Sequence, residues 1–254
     1  MISIFFAGTA GAGKSTLVGT FQRWMDENGY NALTVNLDPG AEVLAYDADV
    51  DVREWVVLGH IMEEFNLGPN GAQVVAADMM ALQSQDIASA VTEMEADYVL
   101  FDAPGQLELF AFRSSSKRIM ENLGGSMPLM AYLLDPMLIG TPNGFVTSSL
   151  LGATVKFRFD VPMLFLLSKT DLIEEEVKQN LMSWTEDRWR LQSDLWEGEV
   201  DASATFAIDL LDAMSEFGAI SDIIPVSSAS GEGLEDLYSM VQLIYAGGDD
   251  LEKR

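Results

Sequence analysis

An apolar run, ISIFFA at residues 2–7, leads directly into GTAGAGKST at residues 8–16, and no other stretch constrains the fold as tightly. Gly8, Gly13, Lys14 and Ser15 satisfy G-x-x-x-x-G-K-[ST], whose required context is a strand before it and a helix after it. The apolar run supplies the strand, and a helix is predicted to begin near Lys14. Glycines let backbone N–H groups approach phosphate oxygens closely, and the helix N-terminus adds partial positive charge. Gly11, Ala12 and Gly13 form the cradle. Lys14 should reach the β- and γ-phosphates, the Ser15 hydroxyl should ligate Mg²⁺, and Thr16 should touch the α-phosphate.

Five more apolar runs follow: ALTVNL (32–37), DYVLFDAPG (97–105), LMAYLLD (129–135), PMLFLLS (162–168) and SDIIPVSS (221–228). They carry little polar alternation, as strands covered on both faces do. Helical patterns separate them. The expected fold is therefore α/β, the P-loop NTPase fold: a mainly parallel β-sheet with helices on both faces. Residues 174–218 break the rhythm. Val177, Leu181, Trp184, Leu191 and Leu195 keep helical spacing, with Arg188 in one slot, and Phe206, Leu210, Met214 and Phe217 form a second stripe. This reads as a helical insertion in a single domain spanning 1–254. Trp189 and Trp196 are expected in its core, with an exposed partner-binding face as the alternative.

Composition narrows the function. Against 14 basic residues stand 40 acidic ones, a net charge of −26. Such a field repels nucleic acid and anionic membranes, so any phosphate site must be a local exception. A surface this acidic also resembles that of a protein from a salty cytoplasm. No apolar run reaches the roughly 18 residues that a membrane-spanning helix needs. The apolar start lacks a basic leader, so a cytoplasmic protein is expected. With no cysteine and one histidine, His60, disulfides and thiolate sites are excluded and zinc is disfavoured.

The remaining motifs supply the rest of a nucleotide site. Asp102 ends a buried strand, where a lone carboxylate is costly unless something such as Mg²⁺ partners it. Gly105 can place its N–H on a γ-phosphate, and Gln106 has a neutral amide suited to orienting an attacking water. In LLSKTDL, Asp171 can accept from both N1–H and the exocyclic amine of guanine, which adenine cannot satisfy. The Lys169 stem can lie over the base. Ser227 and Ser228 can offer backbone N–H groups to guanine O6. GTP/GDP is thus the expected nucleotide. Gly68-Pro69-Asn70, after a helical stripe of Leu58, Ile61, Met62 and Phe65, reads on its own as only a turn.

Together, the phosphate loop, NLDPG, DVRE, GPN, DAPGQLELF, SKTD and PVSS resemble the GPN-loop GTPases over nearly the whole chain. The resemblance implies an archaeal-type homodimer in which Asn70 of each subunit enters the other's active site near the γ-phosphate. It makes Asp38 a second aspartate handling Mg²⁺ and water, and Gln106 the water-positioning glutamine. Eukaryotic members are associated with RNA polymerase assembly and nuclear import. Ser168 and Ser228 depart from the commoner Asn or Thr and Ala, and the phosphate loop lacks the extra lysine of partition-type ATPases. Two other readings stay open: a nucleotide-gated scaffold that holds a protein client in a hydrophobic groove, and a kinase. The kinase expects a lid rich in arginine, and the insertion holds only Arg188 and Arg190.

Overall fold

Seven parallel strands form one sheet in the order β3-β2-β4-β1-β5-β6-β7 in a computed structural model that describes residues 1–107, 113–197, 202–216 and 223–246. The strands are β1 (Ile2–Gly8), β2 (Ala32–Asn36), β3 (Val50–Asp51), β4 (Tyr98–Asp102), β5 (Pro128–Leu134), β6 (Met163–Leu167) and β7 (Ile223–Pro225). Six match the apolar runs, with their ends shifted by one to a few residues. The two-residue β3 was not expected, because it is too short to show any periodicity. It pairs Val50 with Val35 and Asp51 with Asn36. Residues 221 and 222 of the last run lie outside the described residues.

β1 occupies the middle, with Ile4 opposite Leu100 on one side and Leu129 on the other. Its side chains alternate between two cores. Ile2, Ile4 and Phe6 meet α1 (Lys14–Glu27) through Leu17 and Phe21, and α10 (Leu234–Ala246) through Leu237 and Val241. Phe5 and Ala7 face the larger core, where Phe5 stacks on Phe101 with ring centroids 4.4 Å apart. Burying each such aromatic contributes roughly 1.5–3 kcal/mol. That larger core is covered by α2 (Leu58–Phe65), α3 (Pro69–Glu93), α4 (Ser114–Leu123) and α6 (Pro142–Phe159), with the short α5 (Pro136–Ile139) ahead of α6.

Between β6 and β7 the chain makes α7 (Glu175–Glu186), α8 (Arg188–Glu197) and α9 (Ala202–Glu216), all within the stretch 174–218. Its register differs. Leu181, Trp184, Leu191 and Leu195 are buried as expected, whereas Trp189 is 80% and Trp196 44% exposed, which overturns the core reading for both. Helical geometry accounts for this: Leu191 and Leu195 define the inward face of α8, and positions 189 and 196 fall off it. Val177 is also partly exposed. In α9 the buried line is Ala207, Leu211 and Met214, leaving Phe206 63% exposed; Leu210 packs only at the core's edge. Phe217 lies outside the described residues. Arg188 is drawn off the stripe into an ion pair with Asp212.

Candidate nucleotide site

Strand ends place the site. β1 and β4 stop side by side, and the chain leaves β1 toward β2 on one flank while β5 lies on the other. Ligands in open α/β sheets bind at such a reversal, outside the carboxyl ends of the strands. A cleft of about 290 Å³ opens there, lined by Gly13, Lys14, Ser15, Asp38, Asp102 and Gly105, with Gly11 and Thr16 at its edge. Gly11 and Gly13 have φ of +78° and +91°, a backbone that side chains rarely adopt, and Ala12 between them is buried. The loop is thus wound tightly enough to aim amides at one point.

Lys14 is 6% exposed, and its Nζ donates to the carbonyls of Gly8 at 3.1 Å and Thr9 at 3.0 Å. Burial pushes the ammonium below the ordinary lysine value, while the charges of Asp102 and Asp38 pull it back up. Asp102 is 2% exposed, and burial raises its carboxyl to about 6. Ser15, Lys14 and Tyr46 oppose that rise and Asp38 adds to it. Tyr46 donates its hydroxyl to Asp102 Oδ2 at 3.2 Å, whereas Oδ1 is buried with no hydrogen-bond partner. A buried, half-satisfied carboxylate beside the Ser15 hydroxyl and Asp38 fits a divalent cation, the group that removes the cost.

Asp38 begins the loop 38–49, which carries Tyr46. Its Oδ1 accepts from Gly40 N–H at 2.8 Å and its Oδ2 from Gly105 N–H at 3.1 Å. The Gly105 amide assigned to a γ-phosphate is therefore held by Asp38 here, and a phosphate oxygen must displace that carboxylate to reach it. The same loop is tied down by DVRE. Asp51 accepts from Asn36 at 2.9 Å and pairs with Arg53 at 2.5 Å, while Arg53 Nη1 donates to Ala41 O at 2.8 Å. DVRE thus includes a short 3-10 turn (Val52–Glu54) that braces the site just ahead of α2.

Of the residues expected to read the base, Lys169 and Asp171 follow β6, and Ser227 and Ser228 follow β7. Lys169, with φ +55°, pairs with Asp135 at 2.8 Å, and its stem lies close to Gly13, 3.7 Å from where a Cβ would stand. Ser168 N–H and Oγ both donate to Leu134 O at 3.0 Å, so the departure at this position still braces the loop against β5. Ser227 Oγ donates to Asp171 Oδ1 at 2.6 Å while accepting from the amides of Ala229 and Ser230. The expectation for Ser227 is corrected here: its own N–H is taken by Glu232 O at 3.0 Å, so its part is to orient Asp171. Ser228, the other residue expected to offer its amide to a base carbonyl, is half-buried.

A protein from Pyrococcus abyssi, "GPN-loop GTPase PAB0955", is 34% identical over 252 residues, covering 98% of this chain and 99% of that one. The chain belongs to the GPN-loop GTPase family. The crystal structure of PAB0955, described as a GTPase in apo form, superimposes with a TM-score of 0.87 at 33% identity, covering 96% and 97% of the two chains. GPN-loop GTPase 1 of Dictyostelium discoideum is 26% identical over 95% of this chain, which spans only 61% of that longer protein. A family model described as "Conserved hypothetical ATP binding protein" matches residues 6–247.

The segment that names this family is not a free turn. Gly68 caps α3, Pro69 opens it, and Asn70 sits exposed in its first turn, with Ala72 N–H donating to Gly68 O at 3.0 Å. Ile61 anchors the preceding helix in the core, but Phe65 is exposed rather than part of the packed stripe. Asn70 does not line its own chain's cleft. Gln106 lines a neighbouring apolar hollow of about 130 Å³ that shares Asp38 and Gly105 with the cleft and runs on to Gln73, Met80 and Ile119. Residues 108–110 of the DAPGQLELF motif lie outside the described residues. His60 is exposed on α2. Sequence reasoning missed Tyr46 and Asp135, which belong to none of the motifs, and the bracing part of Arg53, which lies within DVRE.

Proposed function

We propose that the protein hydrolyses GTP to GDP and phosphate in this cleft with Mg²⁺, acting as a dimeric nucleotide switch. The observation that carries the reading is the junction of the two loops: the Lys169 stem lies against Gly13, so the base reader and the phosphate cradle form one site. Asp171, held by Ser227, presents the carboxylate that guanine satisfies and adenine does not, which favours GTP although the matching family model is described by ATP.

Ser15, Asp102 and Asp38 would hold the magnesium, which when bound neutralises phosphate charge. Lys14 leaves the carbonyls of Gly8 and Thr9 to meet the β- and γ-phosphate oxygens. Gly105 N–H exchanges Asp38 for a γ-phosphate oxygen. Gln106 swings its amide to orient the water whose oxygen bonds to the γ-phosphorus as the bond to the bridging oxygen breaks. Asn70, exposed at the start of a rigid helix, is available to a second copy, where its amide would donate to the same phosphate.

Exposed Trp189, Trp196 and Phe206 make the insertion a candidate wall for a protein client, in line with an assembly role by family analogy. The kinase reading is weakened by Arg188 and Arg190, which are engaged by Asp212 and Asn180 within the insertion instead of standing free as a lid. Steady-state phosphate release from GTP and ATP, with and without Mg²⁺, tests the enzyme. Release from GTP alone, abolished by chelation, is expected; stable GTP binding without turnover favours a scaffold. Mixing Asn70→Ala with Lys14→Ala subunits tests the shared site. One composite site then carries both lesions and the other neither, so activity should exceed that of both mutant homodimers. Activity in proven mixed dimers no higher than their average overturns it.

A further inference from the structure

We propose that Tyr46 is a positioning residue for the magnesium site, its hydroxyl fixing one oxygen of Asp102 so that the other is kept for the metal or its water. The proposal rests on the Mg²⁺-nucleotide reading above and adds a residue to it. Tyr46 comes from an irregular loop, 56 positions before Asp102 in the chain, and donates to Oδ2 at 3.2 Å. Oδ1 of Asp102 is buried with no hydrogen-bond partner within strict geometry, the Ser15 hydroxyl standing beside the carboxylate. The last torsion of an aspartate is broad and nearly two-fold. One directional hydrogen bond on Oδ2 removes that freedom and presets the plane in which Oδ1 is offered. Groups that orient a ligand in this way typically change metal affinity by about 10–100-fold when removed.

Packing supports a dedicated role for the hydroxyl. The Tyr46 ring lies against the core that contains Val18 and Phe21, and phenylalanine would fill that place equally well. Gly19, inside helix α1, makes the approach feasible: a Cβ there would stand 2.7 Å from Tyr46 Cβ. Glycine in a helix interior is less stable than alanine, so the position carries a penalty whose visible return is the seating of Tyr46. Asp38 lies on the same loop, so one segment touches both Asp102 and Gly105. Phosphate contact at Gly105 and carboxylate geometry at Asp102 are therefore mechanically linked.

The test compares wild type, Tyr46→Phe and Gly19→Ala, each loaded with fluorescent GDP. Release rates are measured in EDTA and across a magnesium titration, and melting in EDTA checks folding. Gly19→Ala keeps the hydroxyl but displaces it. Tyr46→Phe should release GDP in EDTA at the wild-type rate yet need about tenfold more Mg²⁺ or greater to slow release. Gly19→Ala should shift the same way. A half-saturating Mg²⁺ concentration unchanged or lowered in Tyr46→Phe overturns the proposal, as does equal acceleration in EDTA, which would mark a structural role. If magnesium has no effect on wild-type release, the metal-site reading itself fails, a result distinct from a wild-type response that Tyr46→Phe preserves.

Discussion

Replacing Asp102 with asparagine should make the nucleotide-free, magnesium-free protein more stable at neutral pH while removing its stabilisation by Mg²⁺. The magnitude follows from the carboxyl's environment. Burial lifts it to about 6, against 3.8 for an ordinary aspartate, despite help from Ser15, Lys14 and Tyr46. A difference of roughly two units corresponds to about 3 kcal/mol at most. Asparagine has the same shape, and the Ser15 and Tyr46 hydroxyls can rotate to accept from its amide, so about 1–3 kcal/mol should be realised. For a chain of this size each kcal/mol raises Tm by about 2–4 °C.

The pH dependence has a definite sign. Asp102 binds its proton more tightly in the folded than in the unfolded chain, so between about pH 4 and pH 6 the folded state carries the extra proton, and wild-type stability falls as pH rises through that window. The cost is fully present above about 6 and absent below about 4. The stability gap between Asp102→Asn and wild type should therefore be widest near pH 8 and close toward pH 4. Calorimetry of both proteins in EDTA across that range measures it. A variant that melts lower than wild type at about pH 8, or a gap that persists undiminished below about pH 4, refutes the reasoning. Competition between proton and metal predicts, in parallel, that Mg²⁺ binding weakens as pH drops below about 6.

Asp171→Asn should lose GTP preference and gain affinity for xanthosine nucleotides, since an amide donor suits the xanthine carbonyl; competition binding with GTP, ATP and XTP reads this, and unchanged preference removes Asp171 from the base pocket. Gln106→Ala should bind GTP nearly as wild type but hydrolyse it far more slowly, because a water-orienting group acts mainly in the transition state. A fall in affinity with turnover intact would make it a binding residue instead.

The phosphate loop, Asp102 and the Lys169–Asp171 turn were legible because each is written in consecutive residues at a strand end, where spacing alone dictates geometry. The GPN segment shows the limit of local reading. Proline at the second position of a turn and proline at the start of a helix share one φ, so the sequence allowed both, and α3 beyond it decided for the helix. In the insertion, helical period was readable but phase was not: aromatic size favoured burying Trp189 and Trp196, while Leu191 and Leu195 set the face that meets the core.

Loop 38–49 was the least legible part and holds much of the site together. Its contacts join residues far apart in the chain, Asp38 to Gly105 and Tyr46 to Asp102, and no periodicity or motif encodes such pairs. They arise because parallel β2 and β4 are neighbours, with Asn36 in register with Asp102, so the segments leaving both strands emerge together. Strand order thus brings Asp38 to the amide that a γ-phosphate would need. A loop latched to Gly105 by a carboxylate, and to Asp102 by a hydroxyl, must exchange the first contact when a triphosphate arrives and can keep the second. Nucleotide state would then be read at Gly105 while the metal ligand stays oriented, a division of labour that neither aspartate could supply from its own place in the sequence.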